Sequence, residues 1–108
     1  MAQIRIGTAR QVAGAVTRSH VGDGRVVGWY GAPGTVVDAE IREATPPARL
    51  AARFGEEDFS ARWTRAECAA KLADVPMHLW LRRHGLGTAG ARVATIEVAD
   101  LVISIARL

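Results

Sequence analysis

Residues 64 to 86, TRAECAAKLADVPMHLWLRRHGL, constrain the chain most. Thr64 and Glu67 stand at capping-box spacing, so that each side chain can accept a hydrogen bond from the other's backbone N–H at a helix start. Glu67 and Lys71 follow in the favourable order for an i, i+4 ion pair. At about 100° per residue, Cys68, Ala69, Leu72 and Ala73 form an apolar stripe small enough for a second helix to approach closely. Asp74 can cap again, Pro76 suits the first turn of a new helix, and Gly85 can terminate it. The spacing therefore predicts two short helices joined by a tight turn. In the second, Met77, Trp80, Leu81 and His84 share one side, while His78, Leu79, Arg82 and Arg83 share the other.

The segments before this pair read as mainly β. QIRIG, residues 3 to 7, alternates like a short strand, and TARQVAGAVTR stays open: Thr8 and Gln11 have capping-box spacing, but Gly14 and the valines weaken a helix. RVVGWYG and TVVDAEI flank Ala32-Pro33-Gly34, a turn-forming tripeptide, which predicts a β-hairpin between Arg25 and Glu43. Thr45 can cap a helix whose first position is Pro46 and which Gly55 ends; GEEDFS then reads as a loop. After the helix pair, three glycines precede a β-branched run, so a loop or wing leads into a strand near 93 to 96. In VADLVISIARL the residues Val98, Leu101, Val102, Ile105 and Leu108 fit one face of a final helix, and their β-branched neighbours keep a strand open. At 108 residues this is one α+β domain, with a β-rich part at 1–45 holding the hairpin and a winged helix-turn-helix-like part at 62–108.

Charge points the same way. The net charge of +3 rests on arginine, Lys71 being the only lysine. The middle of the chain is acidic, whereas residues 59 to 92 carry Arg62, Arg65, Lys71, Arg82, Arg83 and Arg92 against Glu67 and Asp74. That excess is a candidate phosphate-facing surface, with a solvated basic face as the alternative. A lone cysteine excludes an internal disulfide and suits a reducing compartment. No stretch has the length and apolarity of a signal peptide or a membrane span, so a cytoplasmic protein without membrane contact is expected.

The order helix, turn, helix, glycine-containing wing, Ile96-x-x-Ala99-Asp100-Leu101 resembles the MerR-like and excisionase-like winged helix-turn-helix family over about the last 45 residues. The residues that carry it are Thr64, Glu67, Cys68, Ala69, Leu72, Val75, Pro76, Leu79 and Gly85-Leu86, with one residue more in the turn than the family usually has. The resemblance implies that the helix at 76–84 lies in the major groove, with His78, Arg82 and Arg83 facing DNA and Arg92 as the wing contact; Arg65 joins them as a further DNA-binding candidate. It implies a transcriptional regulator or excisionase-like accessory factor of bacterial or phage type, bound to double-stranded DNA as a homodimer.

Other chemistry is thinly supported. Cys68, His78, His84 and His20 lack metal-ligand spacing, and no nucleophile elbow or phosphate-binding loop appears, so neither metal, cofactor nor catalysis is expected. Trp29-Tyr30 belongs to the core or to a stacking surface. The alternative function is a non-enzymatic protein-interaction or phage and mobile-element assembly component without DNA binding, in which the amino-terminal hairpin supplies a protein contact.

Overall fold

The computed structural model describes residues 3–42 and 45–107. Four strands come first: β1 (Ile4–Gly7), β2 (Thr17–His20), β3 (Val26–Trp29) and β4 (Thr35–Ile41). Three helices follow, α1 (Ala48–Phe54), α2 (Phe59–Ala73) and α3 (Met77–His84), and then β5 (Arg92–Val98) and β6 (Leu101–Arg107). The strands form two antiparallel sheets, ordered β1-β3-β2 and β4-β6-β5.

The second sheet is the middle layer. Val37 and Ala39 of β4 and Leu101 and Ile103 of β6 meet Val27 of β3 and Val21, just past the end of β2, in one buried cluster, with Ile4, Trp29, Ile41 and Ile105 packed against it. Alternation turns Val102, Ser104 and Ala106 to the opposite face, where α2 lies across β4 and β6. There Ser104 Oγ is 2.8 Å from Thr64 Oγ1 and 3.0 Å from Thr95 Oγ1, so three buried or half-buried hydroxyls satisfy one another. A second cluster, Ala66, Ala69, Ala70 and Trp80, joins α2 to α3. The Trp80 indole N–H donates to the Gly87 carbonyl at 2.9 Å.

This architecture corrects the winged helix-turn-helix expectation. The class remains α+β, but the last segment is a strand, not a helix, and it occupies the centre of a sheet: β6 pairs with β4 on one side and β5 on the other. Val102, Ile103 and Ile105 suit a ladder with both faces buried, and Ala99 at φ 54 makes the tight β5–β6 turn. Leu108, counted in the helical pattern, lies outside the described residues, as does Glu43 at the end of the expected hairpin. That hairpin does not form either. Its two strands exist, but β3 pairs with β1 and β2 whereas β4 pairs with β6. Residues 30 to 34 carry the chain from one sheet to the facing one, and Tyr30 N–H donates to the Gln3 carbonyl at 2.7 Å instead of closing a turn with β4.

Local signals fared unevenly. β1 and β5 lie where the alternation puts them, and Gly55 and Gly85 end α1 and α3 with φ 80 and φ 58. Thr8 and Gln11 do make the reciprocal capping-box bonds, at 2.8 and 3.2 Å, yet they close a turn that runs into β2 rather than a helix. Thr64 is no cap: α2 begins at Phe59, and Thr64 sits inside it, buried, donating to Ala61 or Ser104. Neither α1 nor α3 has a side-chain cap, since prolines 47 and 76 precede them. Lys71 turns away from the expected Glu67 pair and reaches Asp38 of β4 at 3.0 Å.

Candidate functional site

α3 is amphipathic enough to stand at the surface with one face free. Trp80 is buried, Met77, Leu79 and Leu81 are half-buried, and His78, Arg82, Arg83 and His84 are exposed. Periodicity predicts this division except at two positions: His84, expected on the inward side, is exposed, and Leu79, expected outward, is half-buried. The C-terminal end of α3 meets α1: Arg53 donates to the Leu81 carbonyl at 3.2 Å and lies 4.7 Å over the Phe54 ring. Arg82 and Arg83 make no side-chain hydrogen bond or ion pair among the described residues, and they complement the negative end of the helix.

The other basic residues divide into spent and free. Arg65 is half-buried and donates to the Val93 carbonyl at 3.2 Å and to Thr95 Oγ1 at 2.9 Å, which ties α2 to the outer strand β5. It is a structural brace and is withdrawn from the candidate interface. Arg62 is spent on the carbonyls of Phe54, Gly55 and Glu57. Arg25 bridges Asp23 and Asp100 at 2.7 and 2.6 Å, which holds both carboxyls below their usual range and raises the guanidinium further. Arg42 takes Glu97 at 3.1 Å. The acids of the carboxy-terminal hairpin are thereby neutralised.

Arg92 is exposed at the start of β5 and stands directly opposite Arg107 of β6. Both border a groove of about 490 Å³ whose other wall is Leu72, Trp80 and His84. The structure thus brings Arg92 to the groove beside α3, and adds Arg107, which the helical reading of the last segment concealed. The signal was present as Leu101, Ile103, Ile105, Arg107 at period two.

A second constellation was missed. Asp38, buried on β4, receives hydrogen bonds from Ser19 Oγ at 3.3 Å and Lys71 Nζ at 3.0 Å, while its Oδ2 has no partner among the described residues. Burial, reinforced by the neighbouring Glu67 carboxyl, pushes its pKa up to about 8 against the opposing pull of Lys71. Glu40 is raised as well, first by burial and then by Glu67. Cys68, fully buried beneath the same helix, donates to the Ser104 carbonyl at 3.1 Å, and burial pushes its thiol up to about 12. Such a thiol is no nucleophile. Both side chains lie in the α2–sheet interface, Asp38 against Lys71 and Cys68 against Ser104, and neither lines the groove beside α3.

Comparison of the chain with known protein families, with curated proteins and with solved structures finds no match. No helix among the described residues is long and apolar enough to cross a membrane.

Proposed function

We propose that the protein is a non-enzymatic, cytoplasmic DNA-binding protein whose contact surface is the outer face of α3. The observation that carries this reading is that Arg82 and Arg83 stand exposed and adjacent on one short helix with His78, unpaired among the described residues, whereas arginines 25, 42, 62 and 65 are paired and other unpaired ones, Arg10, Arg18 and Arg49, stand singly on other segments. Free guanidinium groups on an uncovered helix suit duplex phosphates, whose neutralisation releases counterions. The mode differs from a winged helix-turn-helix. α3 spans eight residues, about 12 Å, and is followed by a sheet-forming hairpin, so backbone engagement is favoured over base reading.

The test is fluorescence anisotropy of a labelled duplex across a salt series, with R82A/R83A and its melting curve alongside. The expected result is a salt-dependent affinity whose log–log slope falls in magnitude by about two in the variant, with an unchanged melting temperature. Absence of duplex binding at low salt would overturn the reading in favour of a protein-interaction role. Unfolding of the variant would show instead that the arginines serve the fold.

A further inference from the structure

The sandwich is open along one side. Alternation places Arg92, Ala94, Ile96 and Val98 of β5 on the face of the second sheet that looks toward the first, beside Arg107, Ile105, Ile103 and Leu101 of β6. The first sheet covers β5 incompletely: Ile96 and Val98 are 40% and 36% exposed, and β1 and β5 are edge strands of their sheets. Two cavities of about 500 and 430 Å³ meet at Trp29 in this opening. One holds Thr35, Arg92, Ala94, Ile105 and Arg107; the other holds Ile4, Ile6, Ile96 and Val98. The strip from Arg92 to Val98 is roughly 20 Å long by strand geometry, cationic at one end and aliphatic at the other.

The cationic end is unfinished in two independent ways. Thr35 is only 3% exposed, and its hydroxyl has no partner among the described residues, although it lines the cavity. A buried unpaired hydroxyl is costly; its oxygen is itself closed to solvent, so a partner in the cavity that Thr35 lines reaches it once the side chain turns about its Cα–Cβ bond. Thr35, Arg107 and Arg92 also form one row across β4, β6 and β5, so that two like charges face each other directly between neighbouring strands. Such a pair is destabilising when bare. An anionic oxygen in this corner would accept from the Thr35 hydroxyl and draw both guanidinium groups together. The indole of Trp29 forms the apolar wall beyond it, held by its N–H donating to the Ala32 carbonyl at 3.2 Å.

We propose that this cleft binds an amphiphilic carboxylate, its head at Thr35, Arg92 and Arg107 and its apolar chain along Trp29, Ile96 and Val98. The site shares Arg92 and Arg107 with the groove beside α3 but includes neither Arg82 nor Arg83, and it does not depend on DNA binding. Dodecanoate, titrated below its micelle concentration into the 108-residue chain by calorimetry and by thermal shift, is the probe, with acetate and dodecanol supplying head alone and chain alone.

One saturable site is expected for dodecanoate, with a raised melting temperature and altered tryptophan emission that W29F abolishes. Acetate and dodecanol should each bind at least tenfold more weakly, because each forgoes one half of the strip. R92A/R107A should lose about tenfold or more in affinity, as expected for lost hydrogen bonds to a charged group. T35V, which replaces an unpaired hydroxyl by a methyl, should bind about fivefold more weakly while the free protein melts no lower. R82A/R83A should bind dodecanoate as the wild type does, which separates this result from the fate of the DNA reading. Absence of dodecanoate binding would overturn the proposal. So would equal affinity for dodecanol, or undiminished affinity in R92A/R107A or T35V.

Discussion

Replacing Asp38 by Asn should flatten the dependence of stability on pH. Asp38 has a side chain only 5% exposed, one oxygen held by Ser19 and Lys71, and the other without a donor beside Glu67. Two facing carboxylates are both acceptors, so a proton on one of them supplies the missing donor. Lys71 opposes this, but its side chain is 40% exposed and its charge is correspondingly screened. Burial prevails, and the folded-state pKa lies at about 8 against 3.8 for the free group. The sign follows from proton counting. Between those two values the folded state holds a proton that the unfolded chain releases, so the contribution of Asp38 to stability is greatest below about pH 4 and is lost as pH rises toward 8. The loss is about 1.4 kcal/mol per pH unit within that window, or roughly 3 kcal/mol between pH 5 and pH 7. For a domain near this size, each kcal/mol moves the melting temperature by roughly 4 to 8 °C. D38N does not titrate, so urea melts of wild type and variant at each pH isolate the slope. The variant should gain on the wild type steadily as pH rises. A difference that stays constant from pH 5 to 7, or that moves in favour of the wild type, would mean that Asp38 is ionised and held by Lys71, and the reasoning would fail.

Two further outcomes follow from packing. W80A removes the only buried side chain of α3 and its bond to Gly87, so a loss of about 3 to 5 kcal/mol is expected in chemical denaturation, with α3 amides exchanging early. Cys68 is fully buried with its thiol raised to about 12, so Ellman's reagent should label it only at the rate of global unfolding; rapid labelling at neutral pH would contradict the packed α2–sheet interface.

The parts of the fold legible in the sequence were those decided locally. The strand at 4–7, the glycine stops at 55 and 85, and the inward Trp80 of α3 all follow from spacing and turn chemistry. What was not legible was decided at long range. In the last segment, Leu101, Val102 and Ile105 satisfy a helical stripe and a two-sided strand equally, and partnership with β4, some sixty residues earlier in the chain, resolves the choice. The hairpin at Ala32-Pro33-Gly34 is lost at long range too, because β3 has both edges occupied by β1 and β2 and β4 pairs with β6 in the other sheet. Thr64 illustrates a different limit. Its capping spacing was real, but Phe59 and Ser60 carry the helix back a full turn, and the Thr64 hydroxyl finds Ser104 instead. For the candidate site, Arg82 and Arg83 were readable as exposed, whereas the burial of Arg65 needed Thr95 and the pairing of Arg92 with Arg107 needed the ladder.

The open cleft has a physical origin in strand length. The three strands of the first sheet have four residues each, about 13 Å, whereas those of the second have seven, about 23 Å. A short sheet on a long one leaves part of the facing surface bare. Gly28 favours a tightly packed first sheet: a Cβ there would lie 2.9 Å from the Ala15 Cβ and 3.0 Å from the Val12 Cβ, so the turn between β1 and β2 is clamped against β3 and its outer face is already filled. The sheet is thus covered by its own chain on one side and overhung by the longer strands on the other. What remains uncovered is not random in chemistry. One end of the overhang is the row Thr35, Arg107, Arg92 and the other is Ile96 and Val98, so the mismatch leaves a polar-to-apolar strip rather than a uniform hydrophobic edge. A bare apolar edge invites aggregation, and charges at its end oppose edge-to-edge pairing. Those two arginines therefore oppose aggregation in the absence of any ligand, at the cost of their mutual repulsion, and they give the same cleft its selectivity for an anion.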